Sequence, residues 1–210
     1  MVRAKKKHLP AITDPKQVAQ LLRAIDSLES TFTVYCALRL APLVFLRPGE
    51  LRSAEWSEID FKAELWNLPA EKMKMKEPHI VPLSKQAIAI FKEIQPLTGS
   101  GRYVFPGARS TTKPISNMAI GAALRRLGYE QGTMTPHGFR AMARTILDEV
   151  LQERVDLIEH QLAHAVKDPN GRAYNRTSHL EGRKKMMQRW SNYLDGLKAG
   201  AQVIPFKANG

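Results

Sequence analysis

Thiol chemistry is almost missing from this chain: Cys36 is the only cysteine in 210 residues, which excludes an internal disulfide and a thiolate metal cluster. It sits in the apolar run VYCALRLAPLV, where a buried, inert thiol is expected. No uninterrupted apolar stretch approaches the roughly 18 residues of a spanning helix, so no membrane segment is expected. The opening MVRAKKKHLP is basic but leads into no apolar stretch and no small-residue cleavage site, so it does not read as a signal peptide. A reducing, cytoplasmic setting is expected. Neither GxGxxG nor a P-loop occurs, and the GSGR at 99–102 is too short to hold a phosphate alone. Acidic residues are the other shortage: 20 Asp and Glu face 32 Lys and Arg, a formal charge of +12. An excess of that size on one domain points to a polyanionic partner, nucleic acid ahead of an anionic membrane face.

What is present reads as mainly α with a small antiparallel β-sheet. Residues 1–13 form a basic linker or arm, 14–198 the folded domain and 199–210 a flexible tail. Asp14-Pro15 is a cap followed by a first helical position, and Val18, Leu21, Leu22 and Ile25 recur at helical spacing to about Ser27. Further helices are predicted over Thr33 to Phe45, Pro48 to Trp56, Ser84 to Ile94, and Ser116 to Leu127 with Gly128 as the stop. Another opens at Thr135-Pro136; ERVDLIEHQLAH follows with Val155, Ile158 and Leu162 on its apolar side, and the last runs near Leu180 to Leu197. Between Ile59 and Leu83, two apolar-rich stretches flank EKMKMKEP. They predict a small sheet with a lysine-rich connection, joined by a short strand at Tyr103 to Phe105.

Several residues carry candidate chemistry. His137 and Arg140 stand three apart in TPHGFR at a helix start, so both face one point suited to phosphate. Arg47 follows a long apolar run and precedes Pro-Gly; Glu50 supplies a carboxylate to hold it, either as a plain structural pair or aiming the guanidinium at a phosphate. Arg52 reads as a solvated charge. Lys72, Lys74 and Lys76 alternate, so an extended chain presents them on one side and Met73 and Met75 on the other. That comb is either a solvated hairpin tip or a lysine that reaches a site as phosphate contact or proton donor. His160 and His164 have a zinc-binding spacing, but Gln161 stands where HExxH has its Glu; His164, at a helix end, is the better site candidate. Tyr174 lies between Arg172 and Arg176, surroundings that favour a developing phenolate and make it a plausible attacker on phosphorus.

RPGEL, the hairpin lysine ahead of HIVPL, HGFR, LAH and then the tyrosine occur in an order and spacing that resembles the catalytic domain of tyrosine recombinases, specifically phage- and genomic-island-type integrases. The resemblance runs from about His8 to Leu197 and includes ELRSAEW and MMQRWSNYLD. It implies Arg47, Lys74, His137, Arg140, His164 and Tyr174 as catalytic residues, with Glu50 supporting Arg47. Lys72 and Lys76, two residues to either side of Lys74, are the alternatives for the hairpin lysine, and with Arg172 and Arg176 they are the implied DNA contacts. It further implies a 3′-phosphotyrosyl intermediate without metal or ATP, double-stranded DNA attachment sites as substrate, and four integrase protomers during synapsis in a bacterial, nucleoid-associated setting.

Members of this type usually also carry an arm-site and a core-binding domain, so this chain is expected to be the isolated catalytic part and monomeric by itself. The competing classes are a non-catalytic DNA-binding module, a type IB topoisomerase and a zinc or other hydrolase.

Overall fold

The computed structural model describes residues 10–164 and 179–200. Helix α1 (Pro15–Asp26) starts as its sequence predicts: Asp14 Oδ1 accepts the Gln17 N–H at 3.0 Å and proline occupies the first turn. It buries Val18, Leu21, Leu22 and Ile25. Helix α2 (Phe32–Val44) is apolar nearly all round and therefore belongs inside. It packs against α1 and against α3 (Pro48–Arg52), α4 (Lys85–Thr98), α5 (Ala119–Arg126), α6 (Gly138–Glu149) and α8 (Leu180–Lys198). Cys36 lies on α2 with no exposed surface, and burial pushes its thiol up to about 12, which keeps it protonated and unreactive. Ile12 is already in the core, so the folded unit begins slightly before Asp14.

The chain is mainly helical with small antiparallel sheets. Strands β1 (Ile59–Asp60), β2 (Leu65–Leu68) and β3 (His79–Pro82) pair in that order, with Trp66 opposite Val81 and Leu68 opposite His79. Trp66 anchors the sheet to α4 by an edge-on contact with Phe91, centroids 5.6 Å apart. Tyr103 to Phe105 does not join this sheet; Tyr103 makes only an isolated bridge to Glu55. A second pair, β4 (Pro106–Gly107) with β5 (Ser110–Pro114), was not expected, because the polar STTKP offers no apolar alternation to read.

Several boundaries differ from expectation for local reasons. The Pro48 helix stops at Arg52, where the Ser53 hydroxyl donates back to Gly49 O, and Trp56–Glu58 forms a separate 3-10 turn. Helix α4 runs on through Pro96 to Thr98, whose carbonyl accepts from Trp56 Nε1 and whose hydroxyl donates to Val104 O. Ser116 to Met118 form a turn, so α5 begins at Ala119. Helix α6 starts two residues after Pro136, with His137 at its N-cap. Helix α7 (Val155–Gln161) buries Leu157 and Ile158, whereas Val155 is exposed. Among the described residues no helix is long and apolar enough to cross a membrane.

Candidate active site

The site assembles where two helices end. Helix α2 closes with Phe45 in the left-handed region (φ 36°), fully buried and edge-on to Trp190. Two residues later Arg47 sits at the N-cap of α3, and Glu50 grips it twice. Glu50 Oε1 accepts from Arg47 Nη1 at 2.8 Å and Oε2 from the Arg47 backbone N–H at 2.9 Å. Glu50 is only 4% exposed, and a carboxylate so enclosed persists only when paired in this way.

Helix α7 ends in a Schellman turn. Ala163 adopts φ 48° and donates to His160 O, and the His164 N–H donates to Glu159 O at 3.0 Å. Both helix ends leave carbonyls over, and Arg140 takes one from each. Its Nη1 donates to Phe45 O at 3.0 Å and its Nη2 to Leu162 O at 2.7 Å. A guanidinium between two helix C-termini is held by the negative ends of their dipoles. Arg140 Nη2 also lies 3.3 Å from His164 Nε2, while His164 Nδ1 is 2.6 Å from Glu159 Oε2.

The charges in this cluster feel one another. Burial and then the charge of Arg47 lower Arg140 to about 10, against the pull of Glu50 and Glu159, so it remains a cation at neutral pH. His137 is held below its ordinary value by burial, then by Arg140 and Arg47, and is therefore neutral there. Two guanidiniums and two imidazoles thus converge, with Glu50 bonded to Arg47 and Glu159 to His164, while Arg140 has no bonded carboxylate among the described residues and could take a phosphate. Beside it opens a cavity of about 610 Å³ lined by His137, Pro48, Met118, Arg125, Gln131 and Thr135, among others. Across α5 a second cavity of about 610 Å³ carries Arg109, Lys113 and Arg126.

The lysine comb is not formed. Residues Ala70–Lys72 make a 3-10 turn and Met73 is buried, whereas Met75 is 58% exposed. Lys72 does not point outward with its neighbours: its Nζ is 2.8 Å from Glu55 Oε1, pairs closely with Glu58, and donates to Ser53 O at 2.8 Å. Lys74 and Lys76 stay exposed at the tip, and Lys74 makes no hydrogen bond or ion pair with the arginine cluster among the described residues. Arg52 is not a plain solvated charge either; its Nη1 donates to Ile115 O at 3.0 Å. The predicted residues Tyr174, Arg172 and Arg176 lie outside the described residues.

Sequence reasoning missed the frame beneath the site. His79 Nε2 donates to Gln161 O at 3.1 Å, and burial foremost lowers its pKa to about 3. Fully buried Arg183 donates to Gln161 Oε1 at 2.7 Å and to Ile80 O, tying β3 and α8 to the end of α7, three residues before His164. Its signal was available: Arg183 stands three, four and seven residues before Met186, Met187 and Trp190, on their buried face.

A family model described as the phage integrase family matches residues 12–180. Prophage integrase IntA of Escherichia coli K12 is 37% identical over 199 residues, covering 95% of this chain and 48% of the relative. The integrase of Enterobacteria phage P4 is 38% identical over 205 residues, covering 91% and 46% respectively. The chain thus spans about half the length of these relatives. Among solved structures, the integrase from mycobacterium phage Brujita superposes with a TM-score of 0.64 at 13% identity, covering 100% of this chain and 62% of that one. A lambda integrase dimer bound to a COC′ core site gives 0.59 at 18%, covering 83% and 53%.

Proposed function

The chain belongs to the phage integrase family, the tyrosine recombinases, and from that premise we propose that it is the catalytic domain of a site-specific DNA recombinase acting through a 3′-phosphotyrosyl intermediate. The observation that carries this reading is the convergence of Arg47, His137, Arg140 and His164, with the Arg140 guanidinium bonded to backbone carbonyls and, among the described residues, to no carboxylate.

In the proposed reaction the Tyr174 hydroxyl attacks a DNA phosphorus, and its proton leaves by way of neutral His137. A P–O bond to the tyrosine forms as the bond to the 5′-oxygen breaks, and Lys74 protonates that oxygen. Arg47 and Arg140 hold the non-bridging oxygens where negative charge accumulates, and His164 Nε2 contacts the same group. The 5′-hydroxyl of a partner strand then attacks the phosphotyrosine and releases Tyr174. One phosphodiester is exchanged for another, so neither ATP nor a metal is needed. Exposed Lys74 reaches the DNA from the hairpin tip, while Lys76, Arg172, Arg176 and the basic lining across α5 contact backbone phosphates. Attachment-site duplexes and three further protomers complete the synapse.

The test is a nicked suicide duplex bearing the core site of the parent element, incubated in EDTA. The protein is expected to be trapped as a slower band on a denaturing gel, and Tyr174→Phe to abolish the band while leaving DNA binding nearly intact. An adduct that survives in Tyr174→Phe, or that Tyr193→Phe removes instead, overturns the assignment. Binding is expected to weaken steeply between about 50 and about 200 mM salt as condensed counterions are released.

A further inference from the structure

The turn that ends α7 places a carboxylate directly behind His164. Because Ala163 takes the left-handed conformation, the chain folds back and sets His164 over Glu159, five residues earlier, with Nδ1 2.6 Å from Oε2. The other oxygen of Glu159 accepts from Arg144 Nε at 2.9 Å, and Arg144 Nη1 in turn pairs with Asp148 at 2.5 Å. Arg144 lies one turn along α6 from Arg140. The helix that supplies the phosphate-facing guanidinium therefore also braces the carboxylate behind the histidine.

A carboxylate only accepts hydrogen bonds, so the proton of the imidazole belongs on Nδ1 and Nε2 is the atom turned towards Arg140. Packing alone would not fix that ring. The His164 side chain is 47% exposed, and the torsion that turns an imidazole is broad when nothing restrains it. Burial works to raise Glu159, but the hydrogen bonds and charges of His164 and Arg144 outweigh it and hold the carboxyl below its usual range. It is thus ionised wherever the enzyme would be assayed.

We propose that Glu159, braced by Arg144, is a positioning residue that fixes the ring orientation of His164 and keeps a proton on its Nδ1, so that Nε2 is the nitrogen facing the phosphoryl oxygen held by Arg140 and donates to it when it too carries a proton. This rests on the reading of His164 as a phosphate contact. Glu159 touches neither substrate nor reacting atoms; it acts through the histidine.

Two measurements test it on the full 210-residue chain. In the first, histidine ring nitrogens are read by NMR with 15N-labelled protein, the His164 signals being assigned by their loss in His164→Asn. The wild type is expected to show one tautomer with the proton on Nδ1, and Glu159→Ala to lose it; Glu159→Gln, which keeps an acceptor without charge, retains the tautomer. In the second, adduct formation on the nicked duplex is expected to slow roughly 10- to 100-fold in Glu159→Ala, as for loss of one charge-assisted hydrogen bond, and less in Glu159→Gln. In a His164→Asn background Glu159→Ala should slow it no further, whereas a merely structural carboxylate would slow both backgrounds alike.

An unchanged ring spectrum in Glu159→Ala, or an equal slowing with and without His164, overturns the proposal. If instead Tyr174→Phe retains the adduct, the reaction reading itself has failed. The ring spectrum then still decides whether Glu159 sets the proton on His164.

Discussion

Two clusters in this molecule gather cations and carboxylates, and they hold their cations in opposite ways. Around the hairpin, Lys72 and Arg102 meet Glu55 and Glu58, cation for anion. Arg102 Nε is 2.9 Å from Glu55, and Glu58 is further secured by Trp66 Nε1 at 3.1 Å. At the end of α7, Arg140 is held by two backbone carbonyls instead, and Glu50 is the carboxylate bound to Arg47. Carbonyls fix a guanidinium in space without cancelling its charge. The first cluster closes on itself and stabilises the sheet; the second leaves the Arg140 guanidinium with no carboxylate bonded to it among the described residues, the condition a phosphate site requires.

The sharpest way to break this comparison is Arg140→Lys. A lysine keeps the charge but cannot reach both carbonyls and a phosphate in one plane. Single-turnover adduct formation is expected to fall by about 100- to 1000-fold, the usual loss for a transition-state donor, with duplex binding nearly unchanged. A rate within a few-fold of wild type would show that charge alone suffices there.

Next in size is Lys72→Ala. It strands Glu58, which is 6% exposed, so urea denaturation is expected to show a loss of about 2–3 kcal/mol, while the adduct rate of the folded protein stays unchanged. A large rate loss at undiminished stability would place Lys72 in the reaction and dissolve the contrast between the clusters.

His79 sharpens the comparison through pH. The unfolded chain takes up its proton near the ordinary value of 6.5, but the folded protein only near 3. Between these values the unfolded state binds more protons, so stability falls as the pH drops, by about 1.4 kcal/mol per pH unit from this group. Above about 6.5 it contributes no slope. Arg102 foremost and then Lys72, against burial, hold Glu55 below its ordinary value of 4.5. The hairpin cluster therefore loses its contribution only at lower pH, as the Glu55 carboxyl is protonated. Denaturation curves from pH 7 to 4 should be flatter for His79→Gln than for wild type; equal slopes would remove His79 from the account. The smallest effect belongs to Arg102→Ala. Its side chain is 68% exposed, and the thermal midpoint should move within error.

The parts of this arrangement legible in the sequence are those fixed by neighbours along the chain. Asp14 and Ser84 announce their helices because a cap acts over three residues, and Arg47 with Glu50 is an i,i+3 pair whose burial follows from the apolar run before it. What stayed hidden depends on where the chain turns back. The link between Glu159 and His164 exists only because Ala163 adopts a left-handed conformation that no residue type there demands. Lys72 looked like its alternating neighbours because nothing local reveals that Glu55 and Glu58, from the turn before β1, close on it. The Arg140 acceptors are backbone atoms of Phe45 and Leu162, which have no signature in side-chain identity at all.

Gly138 shows what such backbone dependence implies for inheritance. A single methyl added there would sit 2.8 Å from Pro10 O and 2.8 Å from the sulfur of Met134, in a turn where Thr135 Oγ1 accepts the Gly138 N–H. The methionine can swing aside, but the Pro10 carbonyl belongs to the backbone that leads into buried Ile12. Any larger residue must therefore pry the entering chain off the first turn of α6, tilting His137 and Arg140 together. A library of all single substitutions, selected for recombination, would rank this position beside the arginines although it offers the substrate no functional group. Genetic intolerance here would report the seating of a wall, not the chemistry in front of it.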